Sequence, residues 1–158
     1  MIGSNSGLAA ARWALLLMLT LAPAAARGEE CEGAPSAARL FVIVEGVRSD
    51  RGLMTASLYP NVRRQFLVRY GALKVWRNPA RAPVTRMCIW LRGPGTYAVA
   101  VYHDANANLR LDRGMFGPTE GFGFSNNPRI LFSPPALEAV KFSAAPGDTT
   151  VHVRLRYP

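Results

Sequence analysis

Alternation of apolar and polar positions organises the chain from residue 39 onward. Residues 39–47 (RLFVIVEGV) are rich in β-branched and apolar types and predict a first strand. Ser49-Asp50-Arg51-Gly52 carries turn residues, and 53–59 (LMTASLY) reads as a strand pairing back on the first. Met54, Ala56 and Leu58 share one of its faces and form the better core candidate; Leu53, Thr55, Ser57 and Tyr59 share the other. Segment 60–71 (PNVRRQFLVRYG) fits either a helical turn with Phe66, Leu67 and Tyr70 on one side or an irregular basic loop. A short edge strand follows at 72–76, ended by Asn78-Pro79. Residues 85–91 set Met87, Ile89 and Leu91 against Cys88 and Trp90, and Gly93-Pro94-Gly95 turns the chain into a strand at 96–102. Beyond a long glycine-rich stretch, 130–135 is apolar and turns at Pro134-Pro135, and 139–143 predicts another strand. In the last strand, 149–157, Val151, Val153 and Leu155 oppose His152, Arg154 and Arg156, a half-buried pattern with one wet face. No long helical period appears after residue 38. The pattern predicts an all-β fold: a single antiparallel β-sandwich of about seven strands, of transthyretin- or immunoglobulin-like architecture, with a long glycine-rich loop.

The start of the chain has a different character. Arg12 precedes an apolar run at 13–21, and Pro23-Ala24-Ala25-Ala26 supplies small residues for cleavage. This is the pattern of a secretory signal peptide cut after Ala26, and the run is short for a span of about 20 residues. The expected division is a signal peptide at 1–26, a loose polar segment at 27–38 and the domain at 39–158. The expected location is the periplasm or the extracellular medium. Beyond residue 26 there are two cysteines, Cys31 and Cys88. In an oxidising compartment an even pair is most simply one disulfide.

The formal charge of +9 is unevenly spread. No acidic residue stands between Asp50 and Asp104, while Arg51, Arg63, Arg64, Arg69, Lys74, Arg77, Arg81, Arg86 and Arg92 all fall there. Such asymmetry suits an anionic envelope lipid or glycan, or is simply a solubilising surface; an exported protein is not expected to meet nucleic acid.

The candidate chemistry is concentrated in residues 99–127. After a strand-like start, Asp104, Asn106, Asn108 and Asp112 recur at spacings of two, two and four. Alternate side chains of such a loop supply oxygen to a hard cation. Measured against a calcium loop, Asp104, Asn106 and Asn108 take positions 1, 3 and 5, Arg110 offers a carbonyl at 7, and Asp112 falls at 9. Two departures weaken the match: Leu109 stands where glycine is usual, and Met115 where a bidentate Glu is usual. Any calcium site would be weak, about 10⁻⁴ to 10⁻³ M. The competing reading is an Asx-rich turn whose side chains bond their own backbone. Gly117, Gly121 and Gly123 suggest a loop folded on itself, with Phe122 and Phe124 as a small core of its own.

The run Ala100-Val101-Tyr102-His103-Asp104, then Asn106, Asn108 and Leu111-Asp112, continues as Gly117-Pro118-Thr119-Glu120-Gly121-Phe122-Gly123-Phe124-Ser125-Asn126. It resembles the uncharacterised bacterial family catalogued as domain of unknown function 2141. The closing Pro134-Pro135 and the run Ala139 to Phe142 extend the resemblance over most of the chain after the signal. The resemblance implies an exported β-sandwich domain and brings no established activity. Members usually show N-G-N-G-K where this chain has Ala107 and Leu109 in place of the glycines.

His103 beside Asp104 invites a hydrolase built on His103, Asp104, Asp112 and Glu120. No nucleophile elbow surrounds Ser125 or Ser133, and a strand-end histidine bonded to its loop is the plainer reading. Two histidines do not make a transition-metal cluster, no phosphate-cradling loop is present, and Trp76 and Trp90 read as core or interface aromatics. The expected function is therefore a non-enzymatic exported module that binds an envelope or extracellular partner or ligand through the 104–126 loop. His103, Glu120, Gly121, Phe122, Phe124 and Asn126 are its candidate surface. Calcium is the one cofactor left open, and catalytic residues are not assigned.

Overall fold

Strand β1 (Ala38–Glu45) buries every second side chain, as its alternation predicts: Ala38, Leu40, Val42 and Val44 are each at most 1% exposed. The computed structural model describes residues 30–130 and 133–158. The signal-peptide reading at 1–26 and the apolar Leu131 and Phe132 lie outside them. Further strands are β2 (Leu53–Pro60), β3 (Lys74–Pro79), β4 (Val84–Trp90), β5 (Gly95–Asp104), β6 (Arg113–Gly114), β7 (Gly117–Pro118), β8 (Phe122–Phe124), β9 (Lys141–Ala144) and β10 (Gly147–Arg154). One sheet has the order β10-β1-β4 and the other β3-β2-β5-β8, with β9 also on β5. Pairing is antiparallel except between β1 and β10.

The stripes predicted as core face each other across this sandwich. Leu40, Val42, Val44, Met87, Ile89, Val151 and Val153 meet Met54, Ala56, Leu58, Trp76, Val99 and Val101 in one cluster. That contact explains the first departure from expectation. Strand β2 does not pair back on β1; it crosses to the opposite sheet and pairs with β3 and β5. Crossing lets two apolar stripes cover one another, whereas a hairpin would have laid them side by side on one surface. On one side the sheets are stitched together: Phe122 and Arg156 exchange backbone hydrogen bonds of 2.9 and 2.8 Å.

The larger sheet is covered on its outer face too. Tyr59, Ala98, Phe124, Leu137 and Val140 form a second cluster there, with Phe66, Phe122 and Ile130 against it. Residues 139–140, expected within a strand, belong instead to a single helical turn, α1 (Leu137–Val140). Leu137 and Val140, three apart, both reach this sheet from such a turn, and extended backbone resumes only in β9.

Segment 60–71 is the irregular basic loop of the two readings, with a 3₁₀ turn at Arg63–Gln65. Phe66 packs edge-on against Tyr59, while Tyr70 stays 88% exposed. The described part of the segment expected to be loose, residues 30–38, is held along β4. The main chain of Glu32 bonds that of Cys88 and Trp90, Ser36 Oγ donates to the Leu91 carbonyl, and Cys31 is disulfide-bonded to Cys88.

Candidate functional site

Strand pairing determines which candidate groups meet. Leu53 opposes Asp104, so the turn before β2 and the loop after β5 share one end of the sandwich. His103 and Asp104 close β5 at that end and are both buried, at 2% and 0% exposure, His103 on the core face of Val99 and Val101 and Asp104 beneath the loop that follows. Gly52 makes room for them: a Cβ there would lie 2.0 Å from the Asp104 carbonyl oxygen.

His103 is satisfied on both ring nitrogens. Nε2 lies 2.8 Å from the Arg51 carbonyl and Nδ1 2.8 Å from the Tyr157 hydroxyl. A carbonyl only accepts, so Nε2 carries a proton; in the neutral imidazole Nδ1 is then the acceptor for the Tyr157 hydroxyl, whose oxygen accepts the Arg48 N–H. Burial, the leading influence, pushes the Tyr157 phenol above its ordinary range. The imidazole thus ties the 48–51 turn to the residue after Arg156, with no free nitrogen facing solvent.

Asp104 does the same for the following loop. Its carboxylate accepts the N–H of Asn108 at 3.0 Å and of Leu109 at 2.7 Å. Glu120 braces the loop from the other side, accepting the N–H of Ala105 and of Asp112, each at 3.1 Å. Above them Asp112 receives the side-chain amides of Asn106 and Asn108 at 2.8 and 2.9 Å. The Asn108 amide and then that of Asn106 hold the Asp112 carboxyl below the usual range, with Arg110 adding to the effect.

These distances bear on the cation reading. The side-chain oxygens of Asp104, Asn106, Asn108 and Asp112 all accept an N–H from within the loop. Turning either amide to present oxygen to a cation would break the bond its Oδ1 accepts from Asn108 or Arg110. Among the described residues no three His, Cys, Asp or Glu side chains cluster in a way that could hold a metal ion. The loop is arranged as a chain of Asx turns whose acceptors are used by its own donors. Ala107 and Leu109 nonetheless take positive φ, 56° and 67°, at the two places where glycine was missed.

The candidate surface is mostly interior. Gly121 and Phe124 are buried and Phe122 half-buried, because the two rings pack edge-on with each other on the outer sheet face and make no separate loop core. Asn126 is exposed, but its amide donates to the Lys141 carbonyl at 2.8 Å. What the loop does present is a feature that sequence reasoning missed. Strands β6 and β7 form a hairpin whose two-residue tip, Met115-Phe116, is 91% and 99% exposed. The signal was an apolar pair between Gly114 and Gly117, of which the calcium alignment weighs only Met115, as the residue standing where a calcium loop has its bidentate Glu.

The basic stretch is not gathered into one face. Arg51 and Arg81 lie with the Asp104 loop, since Leu53 pairs with both Asp104 and Pro79. Arg63, Arg64 and Arg69 follow Pro60 at the opposite end. Trp76 is core, and Trp90 is half-buried beneath the Arg39 guanidinium, 5.3 Å from its ring.

A family model described as "Uncharacterized protein conserved in bacteria (DUF2141)" matches residues 42–152. No curated protein and no solved structure matches the chain.

Proposed function

The chain belongs to this uncharacterised bacterial family, and from that premise we propose an exported, non-enzymatic β-sandwich module that docks a partner protein of the envelope or extracellular space through its β6–β7 hairpin. The observation that carries the reading is the tip itself: two large apolar side chains held almost wholly in water on a loop braced by buried Asp104 and by Glu120. Exposed apolar groups on a rigid element are how a protein offers an anchor to a partner's pocket. Met adapts to irregular pockets and Phe brings a large area at small entropic cost. Arg113, exposed within the hairpin, favours a pocket with an acidic rim, while the neighbouring Arg110 is paired with Asp112. Export is supported by the Cys31–Cys88 bridge and the N-terminal pattern. The hydrolase reading has less support, because His103 is buried and hydrogen-bonded on both sides.

A photoreactive phenylalanine analogue at position 116, in the native host, tests this. The expected result is a discrete cross-linked adduct that Met115→Ser abolishes and that the analogue at exposed Thr150 does not give. Equal cross-linking at both positions would sink the proposal. Calcium has no part in this reading, since the loop satisfies itself: the unfolding midpoint is expected to be the same in millimolar calcium and in excess chelator. A rise with calcium that Asp112→Ala removes would restore the cation site.

A further inference from the structure

The opposite end of the sandwich carries a surface of another kind. In segment 61–70, Tyr70 is 88% exposed and Val62, Leu67 and Val68 are 45%, 37% and 50% exposed, and they interleave with exposed Arg63, Arg64 and Arg69. Four apolar or aromatic side chains left partly or largely in solvent within one short loop call for a backbone that fixes them there. This backbone does. Phe66 alone turns inward, 5.3 Å from the Tyr59 ring, and acts as an anchor. Gly71 is buried so closely that a Cβ would fall 1.9 Å from the Gln65 carbonyl oxygen. Leu67 and Tyr70 are held at φ 55° and 62°, conformations that bulky side chains resist. The Arg69 guanidinium lies 4.9 Å from the centre of the Tyr70 ring, so charge and aromatic face the solvent as one unit.

We propose that this loop docks the protein on an anionic lipid bilayer: Leu67, Val68 and Tyr70 enter the headgroup boundary while Arg63, Arg64 and Arg69 pair with lipid phosphates. Charge complementarity selects the occupant. The loop sits in the acid-free run between Asp50 and Asp104, so nothing in its own segment offsets the arginines. A protein pocket would match a compact apolar anchor, as at the β6–β7 tip. A ring of apolar groups among cations matches an interface that is oily beneath and negative above. An aromatic ring with a polar edge belongs at that depth.

The test is co-sedimentation of the disulfide-bonded protein with phosphatidylglycerol-containing vesicles and with neutral phosphatidylcholine vesicles. Binding is expected to the anionic vesicles only, falling as salt rises. Replacing Arg63, Arg64 and Arg69 with Gln should weaken it about 100-fold, about fivefold for each charge lost. Leu67→Asn with Tyr70→Asn should weaken it about tenfold or more while raising the unfolding midpoint, because Asn accepts a positive φ. Met115→Ser with Phe116→Ser should leave vesicle binding intact, which separates this surface from the hairpin. Failure to bind anionic vesicles overturns the proposal. So does binding that inorganic phosphate competes away, which would mark a simple anion site, and so does binding indifferent to the Leu67 and Tyr70 changes, which would mark surface charge alone.

Discussion

At the scale of single residues, the most informative positions are Ala107 and Leu109. Both hold left-handed backbone, at φ 56° and 67°, in a loop whose shape is imposed by Asp104 and Glu120 rather than by their own preferences. That conformation costs a residue with a Cβ about 1–2 kcal/mol, and glycine gives back about 0.5–1 kcal/mol of it in extra unfolded-state freedom. Both side chains are exposed, so removing them forfeits little packing. Ala107→Gly and Leu109→Gly are therefore each expected to stabilise the protein by about 0.5–1 kcal/mol, read as a higher urea midpoint at an unchanged slope. A lower midpoint would mean that the Leu109 side chain makes a contact outweighing the backbone strain. His103 and Asp104 show the same logic in reverse. They look like chemistry in the sequence, yet their polar atoms are taken up by neighbouring segments: Asp104 by the main chain of Asn108 and Leu109, His103 by the Arg51 carbonyl and the Tyr157 hydroxyl.

At the scale of elements, the short strand β8 decides how the two sheets join. Gly123 faces inward, where a Cβ would lie 2.7 Å from both the Arg154 carbonyl oxygen and Val153 Cγ1; at Gly121 the Cβ would lie 2.4 Å from the Tyr157 ring. Main chain cannot move aside as a terminal ring can. Gly123→Ala is expected to destabilise by about 2–3 kcal/mol and Gly121→Ala by less, compared by thermal unfolding. The reverse order would show that the seam depends on Tyr157 packing more than on the Phe122–Arg156 pairing. Such elements also mark what sequence alone could and could not disclose. The alternation in β1, β2, β4, β5 and β10 was legible because burial on one face imposes a period of two. The Asx loop was legible because side chains at fixed spacing bond nearby backbone. The crossing of β2 to the far sheet was not, since Met54, Ala56 and Leu58 specify a buried face without naming its neighbour. The helical turn at Leu137–Val140 was hidden as well: four residues hold too little periodicity to distinguish helix from strand. The hairpin tip escaped because an apolar pair reads as core until its exposure is known.

At the scale of the whole molecule, the sandwich separates two presented surfaces. Strands of eight residues at about 3.3 Å each set the ends about 26 Å apart. The Met115-Phe116 tip stands beyond one end and the 61–70 loop beyond the other, because β5 and β2 run antiparallel and Asp104 opposes Leu53. A molecule seated on a bilayer by Leu67, Val68 and Tyr70 therefore directs Phe116 away from the lipid, free to meet a partner. Chymotrypsin reads this orientation directly, since it cuts after exposed aromatic residues and both Tyr70 and Phe116 are exposed, at 88% and 99%. In solution both sites are expected to be cut. On phosphatidylglycerol vesicles cleavage after Tyr70 should fall at least about tenfold, the protection that a site buried in the headgroup layer acquires when most of the protein is bound, while cleavage after Phe116 proceeds at its solution rate. Protection of Phe116 with Tyr70 still cut would reverse the orientation and make the hairpin the membrane-facing end. Protection of both would mean that the protein lies on its side, with the bilayer gripping strand surface such as Arg77 and Arg86 rather than either loop.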